Sequence, residues 1–129
     1  ADREGKEHVV AAHGDLGSLG PDDMLLAFSV SGTSSEVVAA VAGARRLGVD
    51  RVLAVTTTRQ SPLGKAADLV IEMGSIKEPC PLGLTNTASI AALSAIGDAL
   101  ALAAMEQRGF SREDFAKRHP GGALGQALK

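Results

Sequence analysis

Three short, continuous apolar runs, separated by segments with helical spacing, constrain the fold of this chain more than any other feature. The runs are Met24–Ser29, Arg51–Thr56 and Asp68–Met73. Runs of this kind are typical of strands buried on both faces of a parallel sheet. Residues 34–47 carry apolar side chains at spacings of three and four, and residues 62–67 follow the second run, so a helix is predicted in each interval. The alternation of strands and helices predicts right-handed βαβ crossovers and therefore an α/β fold with a parallel sheet.

The second half of the chain has a different character. A loop is predicted over residues 74–84, followed by a helix over 87–108 that is rich in Ala, Leu and Ile. A helix that is apolar nearly all round is expected to be buried, either inside the domain or between subunits. Ser111 to Asp114 has the pattern of a capping box, which predicts another short helix ended by Pro120 to Gly122. A last helix is predicted from Ala123.

The number of predicted strands is small for such a sheet. Most sheets hold about four to six strands, and residues 6–10 are the one candidate for a fourth. The domain is therefore expected to span residues 1–129 and to be incomplete at its N-terminus.

Composition excludes several classes of protein. The net charge is −2, there is no Trp or Tyr, and only three Phe are present, so neither a basic stripe nor a stacking platform for nucleic acid is expected. The apolar runs are interrupted before the ~20 residues that span a bilayer, and the charged start lacks the core of a signal peptide. A lone cysteine, Cys80, excludes an internal disulfide and a cysteine zinc site. We expect a soluble cytoplasmic domain without membrane contact.

The segment after the first predicted strand is the leading candidate for a ligand site. Residues 29–35 contain five hydroxyl side chains around Gly32, directly before a helix. Hydroxyls and free N–H groups at a helix N-terminus suit an anion such as phosphate, and ligands of doubly wound folds bind at the carboxyl ends of strands. A plain helix cap is the alternative, but it needs fewer hydroxyls.

Other candidates are weaker when each is taken alone. Glu78 lies on a proline-rich loop that can hold a general base away from bulk water, although an exposed glutamate is the simpler interpretation. Residues 85–89 form a second hydroxyl-rich helix start, where capping explains part of the pattern. His119, before Pro-Gly-Gly, and His13, on a glycine-flanked turn, have side chains that can shuttle protons near neutral pH.

Five motifs in register resemble the arabinose-5-phosphate isomerase family of the sugar isomerase (SIS) superfamily. They are HGDLG at 13–17, SGTSSE at 31–36, KEPCPLGL at 77–84, GDALA at 97–101 and HPGGALG at 119–125. The resemblance runs from about Ala11 to the C-terminus, over nine tenths of the chain. It implies a three-layer αβα sandwich with a parallel sheet, lacking its first strand and loop here. It also implies interconversion of D-arabinose 5-phosphate and D-ribulose 5-phosphate through an enediol.

The resemblance also implies roles for individual residues. The family's catalytic positions are matched by Glu36, Glu78 and His119, with no cofactor and no metal. Its substrate-binding positions are matched by His13 and by the loop residues Ser31, Gly32, Thr33, Ser34 and Ser35. The hydroxyl patterns described above add Ser29, Thr85 and Thr87 as substrate ligands. The family is tetrameric with sites at subunit contacts, which agrees with an apolar helix over 87–105.

Three departures from the family pattern leave alternatives open. The family carries a catalytic lysine on an upstream glycine-rich loop that this sequence does not contain, and many members continue into paired regulatory CBS domains. Where the family has a histidine able to bind an inhibitory zinc, this chain has Glu7 beside His8. A non-catalytic sugar-phosphate sensor, or a degenerate domain that does neither, is therefore the alternative to an isomerase.

Overall fold

The computed structural model describes residues 16–119 and 121, and the chain divides into two compact units between Leu93 and Ser94. The predicted strand over residues 6–10, His13, Pro120 and the predicted helix from Ala123 lie outside the described residues.

Alternating strands and helices build the first unit, as the sequence predicts. A 3₁₀ turn at Leu16–Ser18 precedes β1 (Met24–Phe28), α1 (Ser35–Arg46), β2 (Arg51–Thr56), α2 (Pro62–Ala66) and β3 (Leu69–Glu72). The three strands pair in parallel in the order β1-β2-β3, with Ala54 opposite both Ala27 and Val70. The predicted α/β class and parallel sheet are confirmed, with strand ends within one residue of the expected ones.

The core lies where α1 and α2 pack against the sheet. Val41 and Ala44 of α1, Val52 and Ala54 of β2, and Leu63 of α2 are all buried in one cluster. Gly48 follows α1 with a φ of +93°, a backbone conformation that glycine adopts without strain, so the predicted helix stop is confirmed. This packing covers the middle strand and leaves the two ends of the sheet free for loops.

An acidic side chain fixes the start of β3 to β2. Asp68 Oδ2 accepts hydrogen bonds from Arg45 Nη2 and from Val52 N, both at 2.7 Å. The Arg45 guanidinium and the Val52 N–H lower the pKa of the Asp68 carboxyl below its usual value. The contact sets the register of the sheet at the end opposite to the candidate site.

The long apolar helix, α3 (Ala88–Gln107), begins in the first unit and ends in the second, which also holds α4 (Arg112–Arg118). The capping box of α4 is confirmed: Ser111 Oγ accepts from Asp114 N, and Asp114 Oδ2 accepts from Ser111 N, both at 3.1 Å. In α3 only Ser89 is buried, so the expected burial of this helix is not met within the described chain.

The expectation of no transmembrane helix rested on the length of uninterrupted apolar runs. With 20 residues and a mean hydropathy of 1.7, α3 reaches the length and composition of a membrane span. Single polar residues such as Asp98 interrupt the apolar run of α3 but lower its mean hydropathy only slightly. One such helix is weak evidence for a membrane, because core helices of soluble proteins have the same composition.

Candidate functional site

Three loops leave the carboxyl ends of the three strands and meet at one edge of the sheet. The first loop is residues 29–34, the second 57–61 and the third 73–87. Thr57 N donates to Val30 O at 2.9 Å, and Gly74 N donates to Thr57 O at 3.2 Å. Backbone hydrogen bonds therefore connect each loop to the next, which places the predicted hydroxyl-rich segment beside the proline-rich one.

The first loop is ordered by its own hydroxyls. Ser29 is buried, and its Oγ accepts from Gly32 N at 3.1 Å and lies 3.0 Å from Ser34 Oγ. Ser31 Oγ lies 2.8 Å from Thr33 Oγ1, and both side chains are exposed at the tip. Ser29 thus shapes the loop, while Ser31 and Thr33 remain accessible to a ligand.

Gly32 allows the first loop to approach the second. Its φ is +66°, and a Cβ built on it would overlap Ser61 Oγ and lie 2.6 Å from Thr56 Oγ1. Gly32 O also accepts from Leu63 N at 2.9 Å. Both the backbone conformation and the lack of space exclude a side chain at this position.

The N-terminus of α1 is left without a side-chain cap. Ser34 is the N-cap residue, but its hydroxyl bonds to Ser29 and caps no N–H group of the helix. Side-chain capping of α1, the alternative for this segment, therefore does not account for the hydroxyls before the helix. Ser35 and Glu36 are exposed in the first turn, next to N–H groups that can bind an anion.

The N-terminus of α3, in contrast, is closed by Glu78. Its Oε2 accepts from Thr87 N at 2.8 Å and from Ala88 N at 2.9 Å, and its Oε1 accepts from Ser89 N at 3.1 Å. Thr87 Oγ1 adds a longer bond of 3.3 Å to Oε2. A residue nine positions upstream of Thr87 thus caps the helix.

Hydrogen bonding changes the acidity of Glu78. The Ser89 hydroxyl and the N–H groups of Thr87, Ser89 and Ala88 lower the pKa of the Glu78 carboxyl to about 2. Ser89 Oγ is buried beside this carboxylate, and among the described residues it makes no hydrogen bond. A carboxylate with so low a pKa is a weak base.

Cys80 is a free cysteine in the third loop. The pKa of the half-buried Cys80 thiol is lowered to about 6 by the Thr85 and Leu84 N–H groups, the Thr85 hydroxyl and the Leu82 N–H. Thr87, a predicted substrate ligand, therefore already bonds to Glu78.

A cavity of about 150 Å³ lies where the three loops meet α3. Its lining combines backbone and polar side chains from all three loops: Val30, Thr57, Met73, Gly74, Ser75, Ile76, Glu78, Asn86 and Ser89. The sequence interpretation passed over Thr57 and Ser75 as binding residues, and it included Asn86 and Ser89 only within the hydroxyl-rich segment 85–89. Thr57 and Ser75 could have been found, since each follows the carboxyl end of a predicted strand, where ligands bind in such folds.

His119 lies in the second unit, at the end of α4. Its Nδ1 is 3.2 Å from Phe115 O, and its ring stacks on Phe115 with 4.2 Å between the centroids. Its exposed ring is thereby held in one orientation. Among residues 16–119 and 121, no group of three or more His, Cys, Asp or Glu side chains could hold a metal ion.

Residues 5–103 match the SIS domain family. Arabinose 5-phosphate isomerase KdsD of Escherichia coli K12 is 48% identical over 118 residues, which are 92% of this chain and 36% of that relative. A Bacteroides fragilis protein, classified as a phosphosugar isomerase involved in capsule formation, has a structure with a TM-score of 0.76 and 38% identity, covering 85% of this chain and 58% of that one. The Escherichia coli CFT073 protein c3406, in complex with arabinose 5-phosphate, matches with a TM-score of 0.72 and 35% identity, covering 84% and 57%. The chain thus spans about a third of the length of the curated relatives it matches.

The close approach at Gly32 predicts a large effect of a single methyl group. Gly83 has a similar φ of +64° with nothing within 4 Å of a built Cβ, so it is a matched control. We expect Gly83→Ala to cost about 1–2 kcal/mol for its backbone conformation and Gly32→Ala to cost about 1–3 kcal/mol more for overpacking. Urea unfolding of the two variants measures the difference, and equal losses would contradict the close approach.

The cap at α3 predicts a pH dependence of stability. The pKa of Glu78 is about 2 in the folded chain against 4.5 for an unperturbed glutamate. Its contribution is therefore fully present above pH ~4.5 and is lost as the pH falls toward about 2. The difference in unfolding free energy between wild type and Glu78→Gln should shrink steadily from about pH 5 to about pH 2. Glu106→Gln, at an exposed glutamate of the same helix, is the control, and a constant difference for Glu78→Gln would refute the cap.

Proposed function

This chain belongs to the SIS domain family, and on that premise we propose that it carries the sugar-phosphate site of an aldose–ketose isomerase acting on arabinose 5-phosphate and ribulose 5-phosphate. The name of the relative that is 48% identical supports this choice of substrate. The observation that carries the proposal is the uncapped N-terminus of α1 beside an exposed hydroxyl pair at the edge of a polar cavity.

The phosphate of the substrate binds to the first loop. Exposed hydroxyls of Ser31 and Thr33 and the first-turn N–H groups of α1 supply donors and the positive end of a helix dipole. Ser34 and Ser35 stand at the start of the same helix, and Gly32 brings the backbone close. His13, which lies outside the described residues, remains a proposed ligand from its motif alone.

Glu36 is the general base. The isomerisation requires a proton to leave C2 of the aldose, giving an enediol, and a proton to be added at C1. Within residues 16–119 and 121, no hydrogen bond or ion pair engages the Glu36 carboxylate. Its oxygens are therefore free to accept the proton and return it.

His119 transfers protons at the sugar oxygens during ring opening. When Nδ1–H donates to Phe115 O, Nε2 is left as the proton acceptor on the opposite side of the ring. In the proposed tetramer this histidine serves the site of a neighbouring subunit.

Subunit contacts account for the apolar surface of α3. Large side chains such as Leu102 and Ile90 are 60% and 46% exposed in the single chain. An apolar surface of this kind on a monomer marks an interaction site. We propose a cytoplasmic homotetramer that buries this helix.

A second candidate is a sugar-phosphate sensor without catalysis. The hydrogen bonds from the start of α3 to both Glu78 oxygens favour it, because they give this predicted catalytic residue a structural role. A sensor needs the first loop but no turnover.

Replacing the proposed base separates these functions. In the full-length protein, Glu36→Gln should lower turnover of arabinose 5-phosphate by about 10²- to 10⁴-fold, and His119→Asn by about two decades or more, while substrate affinity is kept. Glu113→Gln, an exposed glutamate of α4, is the control. A wild type that binds pentose phosphates without turning them over would establish the sensor.

The apolar helix predicts self-association. Sedimentation at micromolar concentration should show an oligomer, and Leu102→Glu should shift it toward monomer because a charge cannot be buried in an apolar contact without a partner. Glu106→Gln is the control on the same helix. A stable wild-type monomer would count against the tetramer.

A further inference from the structure

We propose that Thr57 is a positioning residue for the phosphate-binding loop. Its hydroxyl, together with that of Thr56, holds the Val30 carbonyl away from the bound anion and directs the Ser31 N–H group toward it. The inference rests on the proposed sugar-phosphate site and adds to it two neighbouring residues at the carboxyl end of β2, which lie outside the loop that they position.

Three donors from these two residues converge on the Val30 carbonyl. Thr57 N donates to Val30 O at 2.9 Å, the Thr57 hydroxyl donates to the same oxygen, and Thr56 Oγ1 donates to it at 3.3 Å. One backbone N–H group already satisfies a carbonyl that joins two loops, so both hydroxyls are additional to that need. They fix the direction of the carbonyl toward β2, and with it the plane of the peptide that follows.

The planar peptide transfers this constraint to Ser31. The Val30–Ser31 peptide is trans, and in a trans peptide the C=O and N–H bonds point in opposite directions. Ser31 N–H therefore points away from β2, and within residues 16–119 and 121 it donates to no acceptor. Because Ser31 is exposed, this N–H group is a free donor on the ligand side of the loop.

The carbonyl of Gly32 is held inward in the same way. Gly32 O accepts from Leu63 N at 2.9 Å, at the start of α2. The loop thus has two carbonyls turned toward the protein and its N–H and hydroxyl donors turned outward, which is the arrangement of backbone anion sites. If the Val30 carbonyl turned outward instead, its partial negative charge would face the phosphate and the Ser31 N–H donor would be lost.

Thr56 and Thr57 differ in their access to a ligand, which separates positioning from direct contact. Thr56 is 0% exposed and cannot touch a bound molecule, whereas Thr57 lines the cavity. An effect on anion binding that both residues share must therefore pass through the first loop, where the Val30 carbonyl is their common partner.

The test compares alanine and serine variants of the full-length protein by calorimetry. Thr57→Ala removes the hydroxyl, so we expect the Kd for inorganic phosphate and for arabinose 5-phosphate to rise about three- to tenfold. Thr57→Ser keeps the hydroxyl and should remain near wild type. Thr56→Ala should bind both ligands more weakly than Thr56→Ser, for the same reason.

Turnover by the same variants gives a second measurement. The phosphate is remote from C1 and C2, where the protons move, so its contacts are equally strong in the ground state and the transition state. The loss in Thr57→Ala should therefore appear in KM, with kcat within about threefold of wild type. Thr58→Ala and Thr58→Ser are the matched controls, because the Thr58 hydroxyl accepts from Gln60 N inside the second loop at 3.2 Å.

Two results would overturn the inference. One is unchanged affinity for inorganic phosphate in Thr57→Ala and Thr56→Ala with only the free energy of unfolding lowered, which is a purely structural role. The other is weaker binding of arabinose 5-phosphate in Thr57→Ala alone, with inorganic phosphate unaffected, which is direct contact with the sugar. If Thr56→Ala does not fold, the two Thr57 variants decide with inorganic phosphate.

Failure of the proposed function is recognised separately. A wild type that binds both ligands without turnover would end the isomerase proposal, while the phosphate affinities would still decide the role of Thr57. A wild type that binds neither ligand would overturn both.

Discussion

Parallel pairing of β2 with both of its neighbours is the constraint on which the rest of the site depends. It brings the carboxyl ends of the three strands to one edge of the sheet. The loops that follow are joined there by backbone hydrogen bonds, from Thr57 N to Val30 O and from Gly74 N to Thr57 O. Arg59 reinforces this edge, since its N–H and its guanidinium both bond to Glu72 at the end of β3. The first loop is thus positioned by backbone contacts, and its outer hydroxyls stay free for a ligand.

The N-termini of α1 and α3, both at this edge of the sheet, differ in their capping. α1 has a serine at its N-cap that makes no capping bond, whereas α3 is closed by a carboxylate from a distant point in the chain. An open N-terminus attracts an anion, and a closed one with its own negative charge repels it. This difference supports the proposed phosphate site at α1.

Much of the fold was predictable because short-range rules dominate it. The strands, α1 with Gly48, and the capping box at Ser111 follow from patterns within a few residues, and the structure has all of them. The hydroxyl-rich loop after β1 was also found from its sequence, since its composition exceeds the needs of a cap. The surface that covers α3 could not be predicted in this way. An apolar helix is buried by parts of the chain or by other chains that are distant in sequence, and short-range patterns do not specify them.

The sequence by itself determined the α/β class, the strand and helix boundaries, and the presence of a hydroxyl-rich loop where such folds bind ligands. Only the tertiary structure decided what each polar group does there. The type of Glu78 and its proline-rich surroundings predict a base, and only the structure shows that three N–H groups nine to eleven residues away donate to its oxygens. Likewise, only the structure shows that Ser29, a predicted ligand, accepts a hydrogen bond that orders its own loop. The physical reason is that a hydrogen bond depends on distance and direction in space, which a spacing along the chain does not specify across a loop.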